Sequence, residues 1–206
     1  IISLRAKARA GFFYAVQTFL QLLPGQVYSK TPIETVKWTL PCVSIKDYPR
    51  FRWRGMHLDV SRHFFPAEFI KTYIDMLAMH KMNVFHWHLT DDQGWRVEIK
   101  KYPKLTEVAA WRVDREHQEW NTRDPQREDE KPTYAAQRNI TVVPEIEMPA
   151  HTTALLSAYP QFSCTGGPFT VPPGGVWPIT DIFCAGNDST FSFLEDVLTE
   201  VMELFP

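Results

Sequence analysis

In the stretch "PAEFIKTYIDMLAMHKMN" the apolar residues Phe69, Ile70, Tyr73, Ile74, Leu77 and Ala78 recur at helical spacing, which gathers them on one face. Pro66 suits the first turn of that helix, where its missing N–H removes no bond. A second stripe, Phe193, Leu194, Val197, Leu198, Val201 and Met202, predicts a helix over "NDSTFSFLEDVLTEVMELF", capped by Asp188 or Ser189. Three shorter runs, "RGMHLDV", "VFHWHLT" and "ITVVPEIE", have strand character. Strands alternating with helices predict an α/β fold built on a parallel sheet with right-handed crossovers.

The pattern before Phe51 is different. "IISLRAK" reads as the tail of a strand and "GFFYAVQTFLQLLP" as an apolar helix that Pro24 stops. Residues 25–50 are polar and extended, with Pro32, Pro41 and Pro49, and place a domain boundary between 1–50 and 51–206. The rhythm also breaks at residues 112–139, which are mostly polar. A crossover between parallel strands needs a covering element of about a dozen residues. "EVAAW" is too short for that and "AAQRN" reads as the end of a helix, so the expectation is a helix missing between Tyr134 and Ala135, deleted or unrecorded.

The 206 residues have ordinary globular composition. A net charge of −2 gives no electrostatic case for nucleic acid or an anionic membrane. No stretch approaches the ~20 apolar residues of a membrane span. Ile1 begins in mid-pattern, without a leader, and reads as the start of an excised piece. Aromatic residues make up 14 %, which serves a large core and also suits flat apolar ligands and sugar rings. Cys42, Cys164 and Cys184 match no zinc spacing. Cys164 and Cys184 bracket a Gly/Pro-rich loop and are either bridged or both reduced.

Candidate chemistry clusters where the strands end. Along "VFHWHLT", Phe85, Trp87 and Leu89 share one face while His86, His88 and Thr90 share the other. Asp91 and Asp92 then fall at the C-terminal end of the strand, where parallel α/β folds bind ligands. The histidines read either as metal ligands or as buried imidazoles bonded to neighbouring strands. Arg62 follows the first strand and can offer a fork of donors to vicinal hydroxyls, or pair internally with Asp59 or Asp91. Glu145 and Glu147 lie on one face of the third strand, Cα atoms about 6.5–7 Å apart. Acidic pairs perform glycosidic acid/base work, so the two are rivals for that role. His151 lies just beyond, and beside Asp91 it would form a relay in which the carboxylate fixes the tautomer. Motifs for phosphate binding, serine hydrolysis and zincin proteolysis are absent from the sequence.

"RWRGMHLDVSRHFFP", "MNVFHWHLTDDQGWRVEIKKYPKLTEVAAWR" and "ITVVPEIEMPAHT" resemble successive segments of the β-N-acetylhexosaminidases of glycoside hydrolase family 20, in a bacterial, Bacteroidetes-like form. The resemblance covers essentially the whole chain. It implies the N-terminal part of a (β/α)8 TIM barrel, preceded over residues 1–50 by the end of a small α+β domain. It also implies removal of terminal β-linked N-acetylglucosamine or N-acetylgalactosamine with retention, the substrate's acetamido oxygen acting as nucleophile through an oxazolinium ion. No metal or cofactor is implied, and the partner is a glycan or chitooligosaccharide. By the same resemblance Arg62 binds the sugar's C3 and C4 hydroxyls. Asp91 and His151 form a relay to the general acid, and Glu145 is a pocket residue.

Two departures stand out. Ala150 occupies a position where the family usually has glycine, and the family's adjacent Asp-Glu pair, which supplies the general acid, is expected beyond Pro206. Residues 51–206 also fall short of the ~250 residues of a typical barrel. The expectation is therefore a poorly stable, inactive piece of a periplasmic or secreted enzyme. Two other readings stay open: a metal-dependent TIM-barrel hydrolase using His86, His88, His151 and Asp91, and a non-catalytic carbohydrate-binding fragment.

Overall fold

A computed structural model describes residues 1–111, 133–172 and 180–206. The elements run α1 (Arg9–Leu22), β1 (Gly55–Asp59), α2 (Ala67–Met79), β2 (Val84–His88), β3 (Thr90–Asp91), β4 (Gly94–Trp95), α3 (Lys104–Glu107), α4 (Thr133–Gln137), β5 (Thr141–Glu145), α5 (Thr153–Ala158) and α6 (Asp188–Leu204). Strands β1, β2 and β5 form one parallel sheet in the order β1-β2-β5, with β2 in the centre. The register sets Asp59, His88 and Glu145 side by side at the C-terminal ends of the three strands. Strands β3 and β4 form a small antiparallel pair just past the end of β2.

The helices follow the stripes with identifiable adjustments. In α2, Ile70, Ile74, Leu77 and Ala78 are buried, whereas Phe69 is exposed and stacks on Phe65 and Tyr73. In α6 the buried line is Thr190, Phe193, Val197 and Val201, and Leu198 and Met202 face outward. The cap of α6 is Asn187, one residue before the expected Asp188 or Ser189. Asn187 has extended backbone angles and its Oδ1 accepts from Ser189 N at 3.0 Å. Asp188 thereby falls in the first turn, where its charge complements the helix dipole. The "IISLRAK" segment forms no strand: residues 1–6 have no regular structure.

Phe85 and Leu89 of the central strand region pack with α2 into one side of the core, together with Ala135 and Ile140. Tyr134 and Ala135, the junction where a helix is expected to be missing, lie in α4. Tyr134 Oη donates to Asp75 Oδ2 of α2 at 2.9 Å, and Arg138 also pairs with Asp75. The polar stretch before α4 lies outside the described residues.

A second part of the core lies under α6. Phe193 is surrounded by Tyr102, Tyr159, Phe162 and Phe183. Glu200 accepts from the backbone N–H groups of Lys100 and Lys101 at 2.7 and 3.1 Å, which moors α6 to the segment after β4.

Cys164 and Cys184 are bridged, and the bridge lies beside the Ser163–Phe183 backbone pairing. With the cysteines 20 positions apart, loop-closure entropy predicts that the bridge contributes about 3 kcal/mol. A Cys164→Ser/Cys184→Ser double variant is expected to lose that much in urea denaturation. A loss below about a third of it would show that the loop is held by its packing instead.

Candidate active site

The site starts from a turn. After β1, Asp59 Oδ1 accepts from Ser61 N at 2.9 Å and Arg62 N at 3.0 Å, an Asx turn that fixes where Arg62 leaves the strand. The guanidinium then makes three contacts: Nη1 to Asp59 Oδ2 at 2.9 Å, Nη2 to Asp91 Oδ2 at 2.7 Å, and Nε to Gln93 Oε1 at 3.0 Å. Both internal partners considered for Arg62 are therefore real. The side chain keeps 36 % of its surface exposed, enough to face a ligand as well.

Arg96 braces the turn by donating to Val60 O and Ser61 O, each at 3.1 Å. A Cβ at Gly94 would stand 2.6 Å from the Arg96 guanidinium, so a side chain there would push this brace aside.

Asp91 is the hub. Its side chain is 1 % exposed and meets three basic groups. Besides Arg62 these are His88 Nε2 at 3.1 Å and His151 Nδ1, 3.3 Å from Oδ1. The expected approach of His151 to Asp91 is present in the structure. His151 Nδ1 lies equally far, 3.3 Å, from Asp92 Oδ2. Asp92 Oδ1 also accepts from Thr153 N at 3.0 Å and Thr153 Oγ1 at 2.8 Å, which pins the start of α5. The sequence signal for Asp92 was its adjacency to Asp91 alone.

His151 has φ 56°, a left-handed conformation that costs about 1–3 kcal/mol and that these contacts hold in place. Ala150 has no positive φ, so its methyl group meets no backbone objection where the family usually has glycine.

Glu145 faces elsewhere. Its Oε2 lies 2.5 Å from His86 Nε2, 3.3 Å from His88 Nδ1 and 3.9 Å from His57 Nε2. His57 was missed as a site residue; it is the cross-strand partner of His86, a relation that only the register reveals. Glu147 Oε1 is 3.7 Å from His88 Nε2. The two glutamates thus share His88 as one charge cluster.

Burial lowers the basicity of His57, helped by the neighbouring imidazoles of His86 and His88. Burial also works against protonation of His88, but its bond to Asp91 and the charges of Asp59 and Glu145 prevail and raise its pKa. Burial and the charge of Asp91 raise the pKa of Glu147. Burial tends to raise that of Asp59, yet the backbone N–H and guanidinium of Arg62 outweigh it and the net shift is downward.

The zinc set considered from sequence is not assembled as one site. His151 and Asp91 group with Asp92, whereas His86 and His88 belong to two groups that share Glu145, one with His57 and one with Glu147. Chemically, the mouth of the sheet offers a fixed guanidinium, a buried carboxylate and a carboxylate-held imidazole. A guanidinium can donate to hydroxyls, and a carboxylate can fix the tautomer of an imidazole.

Comparison with known proteins points the same way. Residues 51–206 match the profile of "Glycosyl hydrolase family 20, catalytic domain", and residues 1–48 that of "Glycosyl hydrolase family 20, domain 2". A "Beta-hexosaminidase" of Porphyromonas gingivalis is 48 % identical over 209 residues, covering 100 % of this chain and 26 % of that protein. The crystal structure of a β-N-acetylhexosaminidase from Bacteroides fragilis superposes with a TM-score of 0.78 at 44 % identity, covering 97 % of this chain and 37 % of the other. That of the Streptomyces plicatus N-acetyl-β-hexosaminidase gives a TM-score of 0.85 at 35 % identity, covering 98 % and 40 %. The chain thus spans between a quarter and two-fifths of the length of these relatives.

Proposed function

Because the chain belongs to glycosyl hydrolase family 20 and carries part of its TIM-barrel catalytic domain, we propose that its full-length protein is an exo-β-N-acetylhexosaminidase. It removes terminal β-linked N-acetylglucosamine or N-acetylgalactosamine from glycans such as chitooligosaccharides. The observation that carries this reading is the convergence of Arg62 and His151 on the buried carboxylate of Asp91 at the strand ends.

In the proposed mechanism Arg62, held by Asp59 and Asp91, presents its exposed edge to the C3 and C4 hydroxyls of the terminal sugar. Asp91 orients His151, and His151 tunes a general acid contributed from outside these residues. The substrate's acetamido oxygen attacks the anomeric carbon as the glycosidic oxygen leaves with the acid's proton. Water then opens the oxazolinium ion, so the configuration is retained. Glu145, turned toward three imidazoles, acts as a supporting residue of the pocket wall. The bridged Cys164 and Cys184 support a periplasmic or secreted location, where disulfides persist.

The test uses the full-length protein with 4-nitrophenyl N-acetyl-β-glucosaminide. Hydrolysis should release the β-anomer first by proton NMR, and a thiazoline analogue of the oxazolinium ion should inhibit. Initial release of the α-anomer, or equal cleavage of the glucoside lacking the acetamido group, would sink the mechanism. Binding of the thiazoline without turnover would favour the non-catalytic reading. The 206-residue chain alone should be inactive. Turnover by it would move the acid onto Glu147, whose carboxyl already has a raised pKa.

A further inference from the structure

We propose that His57, His86, His88 and Glu145 form a binding site for one nitrogen-preferring divalent cation, of the zinc(II), cobalt(II) or nickel(II) class, on the inner face of the sheet. The inference does not depend on the glycosidase reading.

It begins with the pleat and the register. His57 pairs with His86, and His88 pairs with Glu145, so four side chains from three adjacent strands project to one side. Their ligating atoms converge. His57 Nε2 is 3.4 Å from His88 Nδ1, His88 Nδ1 is 3.3 Å from Glu145 Oε2, and His57 Nε2 is 3.9 Å from the same oxygen. A tetrahedral ion with bonds of ~2.0–2.1 Å holds its ligand atoms about 3.4 Å apart. Three edges of the cluster are therefore close to those of a zinc polyhedron. His86 Nε2, 2.5 Å from Glu145 Oε2 on a half-exposed ring, would swing away from that oxygen to become the fourth donor, Glu145 being the residue its group shares with that of His88.

The donor chemistry fits as well. Three imidazoles and one carboxylate make a set suited to zinc and its neighbours, not to magnesium or calcium. Metal-bound histidines commonly give their second ring nitrogen to a carboxylate, which fixes the tautomer and aims the free lone pair. His88 has that partner: its Nε2 contacts Asp91 Oδ2 at 3.1 Å, leaving Nδ1 to face the cluster.

Glu145 Oε2 supplies an independent observation. The atom is shielded from solvent and, although three imidazole nitrogens crowd it, it receives no well-aligned hydrogen bond. A cation at the centre would satisfy that oxygen and the facing nitrogen lone pairs together. It would clamp β1, β2 and β5 at one level and, through His88, fix the orientation of Asp91.

The experiment takes the full-length protein without an affinity tag, strips it with a chelator and titrates it with zinc chloride by calorimetry. X-ray absorption at the zinc edge then reads the bound shell. The proposal expects one saturable equivalent with a shell of imidazole nitrogens, two at least, and a single oxygen at ordinary zinc distances. His57→Gln and Glu145→Gln should each weaken binding at least tenfold, while His80→Gln, on an exposed residue at the end of α2, should leave it unchanged. Absence of saturable binding, a shell with fewer than two imidazoles, or full affinity in His57→Gln would overturn it. Loss in His151→Gln with retention in His57→Gln would also overturn it, by assigning the ion to Asp91, Asp92 and His151. Should a variant fail to fold, the absorption spectrum of the unaltered protein still decides.

Discussion

Asp91→Asn in the full-length protein is expected to lower kcat on 4-nitrophenyl N-acetyl-β-glucosaminide by roughly 10²–10⁴-fold, the range that positioned acid–base groups supply. The substitution keeps the volume but removes the charge from a side chain that is 1 % exposed. It also turns an acceptor-only group into one that presents an amide N–H₂ to groups that are themselves donors: Arg62 at 2.7 Å, His88 at 3.1 Å and His151 at 3.3 Å.

The loss should divide in a recognisable way. Release of Arg62 raises KM, because the sugar's hydroxyls lose a fixed partner. Release of His151 lowers kcat and shifts the limb of the pH profile that belongs to the general acid. A purely structural defect would reduce the active fraction and leave KM and the pH profile alone, so titrating active sites separates the cases. The idea fails if kcat stays within threefold of the parent with an unmoved profile. Stability should fall by less than the ~3–5 kcal/mol typical of a broken buried ion pair, because Arg62 retains Asp59 as a partner.

The largest stability effect is expected at Phe193. Truncation to alanine should cost about 3–5 kcal/mol by urea denaturation. The ring is 1 % exposed, with the centroids of Phe162 and Tyr102 at 4.4 and 4.5 Å, and those of Tyr159 and Phe183 at 6.0 and 6.1 Å. Its neighbours cannot easily collapse into the space. Tyr102 is tied by its hydroxyl to Asp196 at 2.6 Å, and Phe183 adjoins the bridged Cys184. A cost below about 1.5 kcal/mol, the range of small volume-conserving changes, would mean that α6 is not docked on this cluster.

Much of the fold was legible because it is written in local periodicity. The Ile70–Ile74–Leu77 stripe and the three apolar strand runs needed no tertiary information. Errors arose where a side chain, not a stripe, decides. Asn187 caps α6 because its backbone is extended and its oxygen reaches Ser189 N, a choice among three adjacent polar residues that composition cannot rank. Phe69 satisfies the helical stripe yet finds aromatic partners at the surface.

The site divides in the same way. The meeting of Arg62 and His151 with Asp91 could be expected because all three follow strand ends, which parallel folds bring to one side. The role of Asp92 at Thr153 and the place of His57 beside His86 depend on contacts between segments far apart or on register, which a single strand's alternation does not contain.

The turn after β1 has a consequence for how the protein is made. Asp59, Arg62, Asp91, Gln93 and Arg96 all lie within one contiguous stretch, and the contact from Arg62 to Gln93 spans only 31 positions. Loops of that size close early, before pairings between distant segments become possible. A ribosome emits the chain from its N-terminal end, and units fold as they emerge. The Arg62 guanidinium and the Asp91 carboxylate that holds it therefore need only β1, α2, β2 and the β3–β4 pair to meet. This half of the cluster is local in the chain, whereas His151 reaches Asp91 across 60 positions, from 91 to 151.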